Sequence, residues 1–174
     1  MRRFTCSFVL FAPLFLIPNM VIAQAATPSV NAICNFDSTK QLRVEYRPVT
    51  VGTKKQVLGK EIPYGKVWVP GGKPMVMFTN TTLTVNGQDI PVGAYTLFVV
   101  PDEKQWTLII SKSTDTSGKY DKQQDLVRAH MEFGQLPSPE KQFSVYFAHV
   151  GADQCDMRLD LQGDRAWVTF TEKK

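Results

Sequence analysis

The chain is short of the residues that carry most enzyme chemistry. Its 174 residues include two histidines, His130 and His149, and three cysteines. Two histidines far apart do not make a dedicated metal site, which needs several ligands at set spacings. A Gly-x-Ser-x-Gly elbow is missing, and with it the signature of one large class of nucleophilic hydrolase. No helical period persists beyond two turns, no segment repeats, and no low-complexity tract or linker divides the chain. Net charge is small, at +4, without the basic stripe that nucleic acid requires. No metal, cofactor or nucleic-acid partner is therefore expected.

What the chain does have begins at its first residues. Arg2 and Arg3 precede an uncharged apolar run, residues 4–22, which closes on Ala23-Gln-Ala25. A basic start, an apolar middle and a small-x-small exit are the three parts of a secretory signal peptide. Pro13 and Pro18 sit inside the run, so cleavage after Ala25 is favoured over retention as a membrane anchor. The expected address is secreted or periplasmic. Cleavage takes Arg2 and Arg3 with it, lowering the charge from +4 to +2. Residues 26–174 are one domain's worth of chain, with no further stretch of membrane-spanning length. Cys34 and Cys155 remain, so only one intramolecular pairing exists, and an oxidising compartment makes it a disulfide. No histidine is read as lying near enough to either cysteine to suggest a catalytic thiol.

The mature chain reads as short strands. Leu42, Val44 and Tyr46 alternate with Arg43, Glu45 and Arg47, the period of a half-buried strand. Residues 75–79 and 83–85 are β-prone, and Asn86-Gly87 is a strong hairpin signal. Residues 94–100 and 105–111 are apolar on both faces, which marks central strands covered twice. Residues 127–133 form one further strand, 143–147 another, then 155–161, with Asp156, Arg158 and Asp160 on a solvated face, and finally 166–171. About nine short antiparallel strands predict an all-β sandwich of jelly-roll or immunoglobulin-like type, with a closed barrel as the alternative.

Aromatics and cations meet in one Gly/Pro-rich loop, residues 52–72 and just beyond. Tyr64 and Trp68 lie beside Lys66 and Lys73, and a rigid loop with rings and cations can stack on a sugar or hold an anion. The competing role for Trp68 is to plug the open end of the sandwich. Tyr120 either joins that ligand surface or anchors its own long loop. Asp153, Asp156, Asp160 and Asp164 offer carboxylates, yet no pair suited to glycoside hydrolysis can be assembled from their spacing.

Three stretches carry a resemblance. Ile62-Pro-Tyr-Gly-Lys-Val-Trp68, Val92-Gly-Ala-Tyr-Thr-Leu-Phe98 and Trp106-Thr-Leu-Ile-Ile-Ser-Lys112 resemble a bacterial exported family, Domain of Unknown Function 2911. The likeness continues through Tyr120-Asp121, Asp125-Leu126, Leu136-Pro-Ser-Pro139 and Phe143-Ser-Val145. It implies a fold and a compartment and little chemistry. Relatives place arginine and asparagine where this chain has Val69 and Lys73, while Gly71 is kept. The expected function is a non-catalytic binding or interaction module of the cell envelope, for a small ligand or an envelope protein. Tyr64, Lys66, Trp68, Lys73 and Tyr120 are its candidate ligand residues. An envelope hydrolase built on carboxylates is the alternative.

Overall fold

A computed structural model describes residues 28–37 and 39–174; the candidate signal peptide lies outside the described residues. Among the described residues there are twelve strands and two short 3₁₀ segments. The first sheet holds β1 (Val30–Asn35), β2 (Gln41–Tyr46), β3 (Met75–Thr79), β6 (Gly93–Val100), β7 (Thr107–Ser111) and β8 (Asp125–His130), side by side in that order. The second runs β10 (Ser144–Gly151), β11 (Gln154–Leu161), β12 (Asp164–Glu172), β4 (Leu83–Val85), β5 (Gln88–Ile90). In that second sheet β9 (Glu132–Gln135) pairs with the first half of β12, whose last residues pair with β4. Every pairing is antiparallel and neither sheet closes into a barrel.

Period-two alternation places the core. Leu42, Met77, Leu97 and Leu108 of the first sheet and Val145, Met157, Leu159 and Phe170 of the second share one apolar cluster. The Asn86-Gly87 turn forms as its residues dictate: both have positive φ, 47° and 76°, and Val85 pairs with Gln88 across it. β6 and β7 are covered twice, as their composition requires. Phe98 and Ile109 pair across them on the face away from the core, yet both are buried. The ring of Tyr120 lies edge-on over Phe98, with centroids 5.2 Å apart. The strand edges also approach each other, β1 near β10 and β5 near β8.

Twelve strands rather than about nine is a correction with three sources. β1 is a short alternating run ahead of the first strand read from sequence. β5 is the three-residue second arm of the hairpin. The single strand expected over residues 127–133 is two: the chain leaves the first sheet after His130 and joins the second at Glu132. Met131 sits at the crossing, buried, with its N–H donating to the Trp106 carbonyl at 2.8 Å. Alternation alone cannot reveal a change of sheet, because inward residues stay inward through it.

A second correction concerns Asp156 and Asp160. They do point away from the core, but they are not solvated: they retain 6% and 3% of their surface. Arginines on the same face cover them. Arg165 holds both oxygens of Asp160, at 2.8 and 2.9 Å, and Arg158 reaches Asp156 at 3.1 Å.

Cys34 on β1 and Cys155 on β11 are bonded, their Cα atoms 6.5 Å apart and 121 residues apart in sequence. The bond ties one sheet to the other. Closing a loop of that length is worth about 4–5 kcal/mol in the chain-entropy model, a large share of the roughly 5–15 kcal/mol by which domains are stable. Reducing the disulfide, or replacing both cysteines by serine, should lower the protein's denaturant midpoint by the equivalent of that amount. The native protein should show no titratable thiol. An unchanged midpoint under reductant would remove the staple from the account.

Candidate functional site

The segment between β2 and β3 contains little regular structure, so its order must come from other bonds. Val51 and Gly52 donate to the Lys141 carbonyl at 2.9 and 3.1 Å. Gln162, in the β11–β12 turn, does more. Its amide oxygen accepts from Val57 N–H at 3.0 Å, and its amide nitrogen donates to the carbonyls of Gly52 and Lys55 at 3.1 and 2.7 Å. Three bonds from one nearly buried side chain pin a loop that would otherwise have only water for partners. Further along, the Trp68 N–H donates to Val99 O at 2.7 Å and its carbonyl accepts from Val99 N at 3.2 Å. That two-bond bridge docks the tryptophan on β6.

With its backbone fixed, the half-buried Trp68 ring stands edge-on to Phe143, centroids 5.1 Å apart at 79°. The ring forms one wall of a cleft of about 230 Å³ whose other walls include Val49, Val51, Val57 and Ile62. Gly71 lines it as well, with φ of 70°; a Cβ there would stand 3.2 Å from Arg47 Cβ and Val49 Cγ2. Glycine is required at that point on both counts. The cleft has one carboxylate, Glu61, paired with Lys55 at 2.8 Å on the exposed side. It is smaller than the usual 300–1,000 Å³ ligand pocket, and suits a small apolar body with a polar end.

The chain matches the family model described as "Protein of unknown function (DUF2911)" over residues 28–170. This protein belongs to that family. No curated protein and no solved structure matches it. The match runs from ahead of β1 into β12, so the DUF2911 region contains the whole cleft and both bonded cysteines.

In this DUF2911 protein the five residues expected to bind ligand do not gather in one place. Trp68 lines the cleft. Tyr64 is half-buried and rests on Gly59, where a Cβ would fall 2.7 Å from the ring; burial, then the charge of Asp164, pushes its phenol pKa up. Lys66 is exposed on the loop surface. Lys73 lines a different, smaller groove of about 160 Å³ with Glu45, Arg47 and Thr116. Tyr120 lies on the outer face of the first sheet. Its hydroxyl donates to Asp125 Oδ2 at 2.7 Å and accepts from Arg128 Nη1 at 3.0 Å, and burial followed by Asp125 raises its pKa. Those bonds anchor the loop that covers Phe98.

Histidine lies closer to cysteine than the sequence reading allowed. His149 pairs with Cys155 across β10 and β11, its Nδ1 3.6 Å from the sulfur. The ligand atoms of Cys34, Cys155 and His149 fall within 4.8 Å of one another, but the two sulfurs are bonded to each other and offer no thiolate. Two short spacings also fail to assemble chemistry. His130 and Glu132 sit on opposite outer faces, one in each sheet. Ser138 and Lys141 stand in an exposed non-helical stretch, where a spacing of three does not bring side chains together.

The signal for Gln162 was its neighbour: Gln-Gly in a tight turn, with glutamine at φ of 54°. Gln162→Ala leaves three loop groups without their partner and should cost about 2–3 kcal/mol at roughly 1 kcal/mol each. Trypsin should then cut at Lys54 and Lys55 well before the rest of the domain. A variant as trypsin-resistant as the parent would refute the pinning role. Asp164 gives a pH prediction. Burial raises its pKa above 3.8, so the folded state prefers the neutral acid. That preference stabilises the fold below pH 3.8 and is lost as pH rises through the folded-state value. Asp164→Asn should therefore melt higher than the parent at neutral pH and alongside it near pH 3, by calorimetry at both.

Proposed function

We propose that this DUF2911 protein is an exported β-sandwich of jelly-roll or immunoglobulin-like type, stapled by Cys34–Cys155, which acts in the cell envelope as a non-catalytic binding module. The observation that carries the reading is the Trp68 cleft. A ring fixed through its own backbone and seated on Phe143 forms an open apolar wall, and ordering it costs nothing further when a ligand arrives. The leader-like residues 2–25 and the disulfide support an oxidising compartment. Among the described residues no helix is long and apolar enough to cross a membrane. Carboxylate hydrolysis asks for two facing acids, whereas the cleft has Glu61 alone, held by Lys55.

The ligand class that fits is a small molecule with an apolar face, placed against Trp68, and a polar end near Glu61 and Lys55. A thermal-shift screen of the exported protein against sugars, lipids, peptidoglycan fragments and small acids tests this. A ligand at 100 times its Kd should add about 2.7 kcal/mol of stability. The shift should vanish in Trp68→Ala and in Thr50→Trp, which narrows the cleft without removing the Trp68–Phe143 contact. Shifts that survive both variants would sink the cleft as the site.

A further inference from the structure

The outer face of the second sheet carries an arrangement that stability does not explain. Tyr146 on β10, Arg158 on β11 and Trp167 on β12 stand opposite one another at one register level. Flanking them are Asp160 opposite Arg165 and Asp156 opposite Thr169. Both carboxylates are more than nine-tenths buried on a face that otherwise meets water. Burying ion pairs commonly gains nothing over apolar packing, and Arg158 Nε is buried with no hydrogen-bond partner among the described residues, a further cost.

What the arrangement achieves is position. Asp160 takes Nε and Nη2 of Arg165, and Asp156 takes Nη2 of Arg158 and the Thr169 hydroxyl at 2.8 Å. Arg158 also lies within hydrogen-bonding reach of the Tyr146 hydroxyl, and Nη1 of Arg165 has no hydrogen-bond partner among the described residues. The Arg165 guanidinium lies over the Tyr146 ring, 5.3 Å from its centroid. The Trp167 ring reaches over Gly134 on β9, where a Cβ would come 3.3 Å from it. The two half-buried rings rise from strands two spacings apart, about 10 Å between backbones, with Arg158 on the strand between them and Arg165 over Tyr146.

We propose that this face is a saccharide-binding platform, separate from the Trp68 cleft and independent of any ligand there. A sugar ring presents its C–H face to Trp167, and hydroxyls farther along the glycan accept from Arg158 and from Arg165 where it lies over Tyr146. Two arginines balance two aspartates, and the exposed Glu132 opposite Trp167 adds a negative charge. The platform therefore favours an uncharged glycan over an anionic one. Reading from sequence missed it because Asp156, Arg158 and Asp160 pass for an ordinary solvated face.

The test uses the exported protein with cellohexaose, maltohexaose and chitohexaose as neutral probes and hexagalacturonate as the anionic one, followed by calorimetric titration. At least one neutral probe should bind at millimolar concentration or below. Trp167→Ala and Gly134→Val should each weaken it tenfold or more, while Trp68→Ala leaves it unchanged. Arg158→Gln, which keeps both rings, should also weaken it, so the result does not hang on one variant's folding. No binding by any neutral probe overturns the proposal. So does binding that Trp167→Ala and Arg158→Gln both leave intact, or binding of hexagalacturonate alone.

Discussion

Neither sheet of this protein can keep its inner face dry alone; each depends on the other to cover it. From that mutual burial the rest follows. Inward positions must alternate along every strand, and a one-residue slip would turn Leu159 and Met157 to water and Asp160 and Asp156 into the core. The chain passes between layers after β3, after β5 and after β8, and at the last of these Met131 stays buried. Phe143, buried in that core, is met edge-on by the half-buried rings of Tyr46 and Trp68. The cleft lies beside this contact, where Trp68 lines open space together with Val49, Val51, Val57 and Ile62.

Most of the fold was legible because period-two patterns and turn residues are local signals. Leu42 and Val44, Val127 and Ala129, and Cys155 through Leu161 fall on the inward side as their alternation indicates. Asn86-Gly87 makes its turn, and Asp121 caps a 3₁₀ turn, Lys122–Gln124. What was not legible depended on which partners the fold brings together across turns and between sheets. Whether Asp160 is solvated depends on Arg165 across a turn; whether residues 127–133 are one strand depends on which sheet each end meets.

The candidate site divides along the same line. A Gly/Pro-rich loop with a tryptophan could be recognised from composition, and the cleft does contain Trp68. Its companions could not be, since Lys73 and Tyr120 follow their own backbones to other faces. Gln162 was missed despite its Gln-Gly turn: a glutamine there looks like surface until the loop 105 residues earlier folds onto it.

The meeting of the strand edges has a consequence for how this molecule keeps to itself. An exposed sheet edge is a row of unpaired N–H and C=O groups, open to pairing with any extended chain. Here β1 lies against β10 and β5 against β8, and the bridge between Cys34 and Cys155 crosses the first of those seams. A foreign strand would have to part the two layers before it could add to either edge. Edges that approach each other in this way oppose mispairing with other extended chains, a protection that no single buried contact provides.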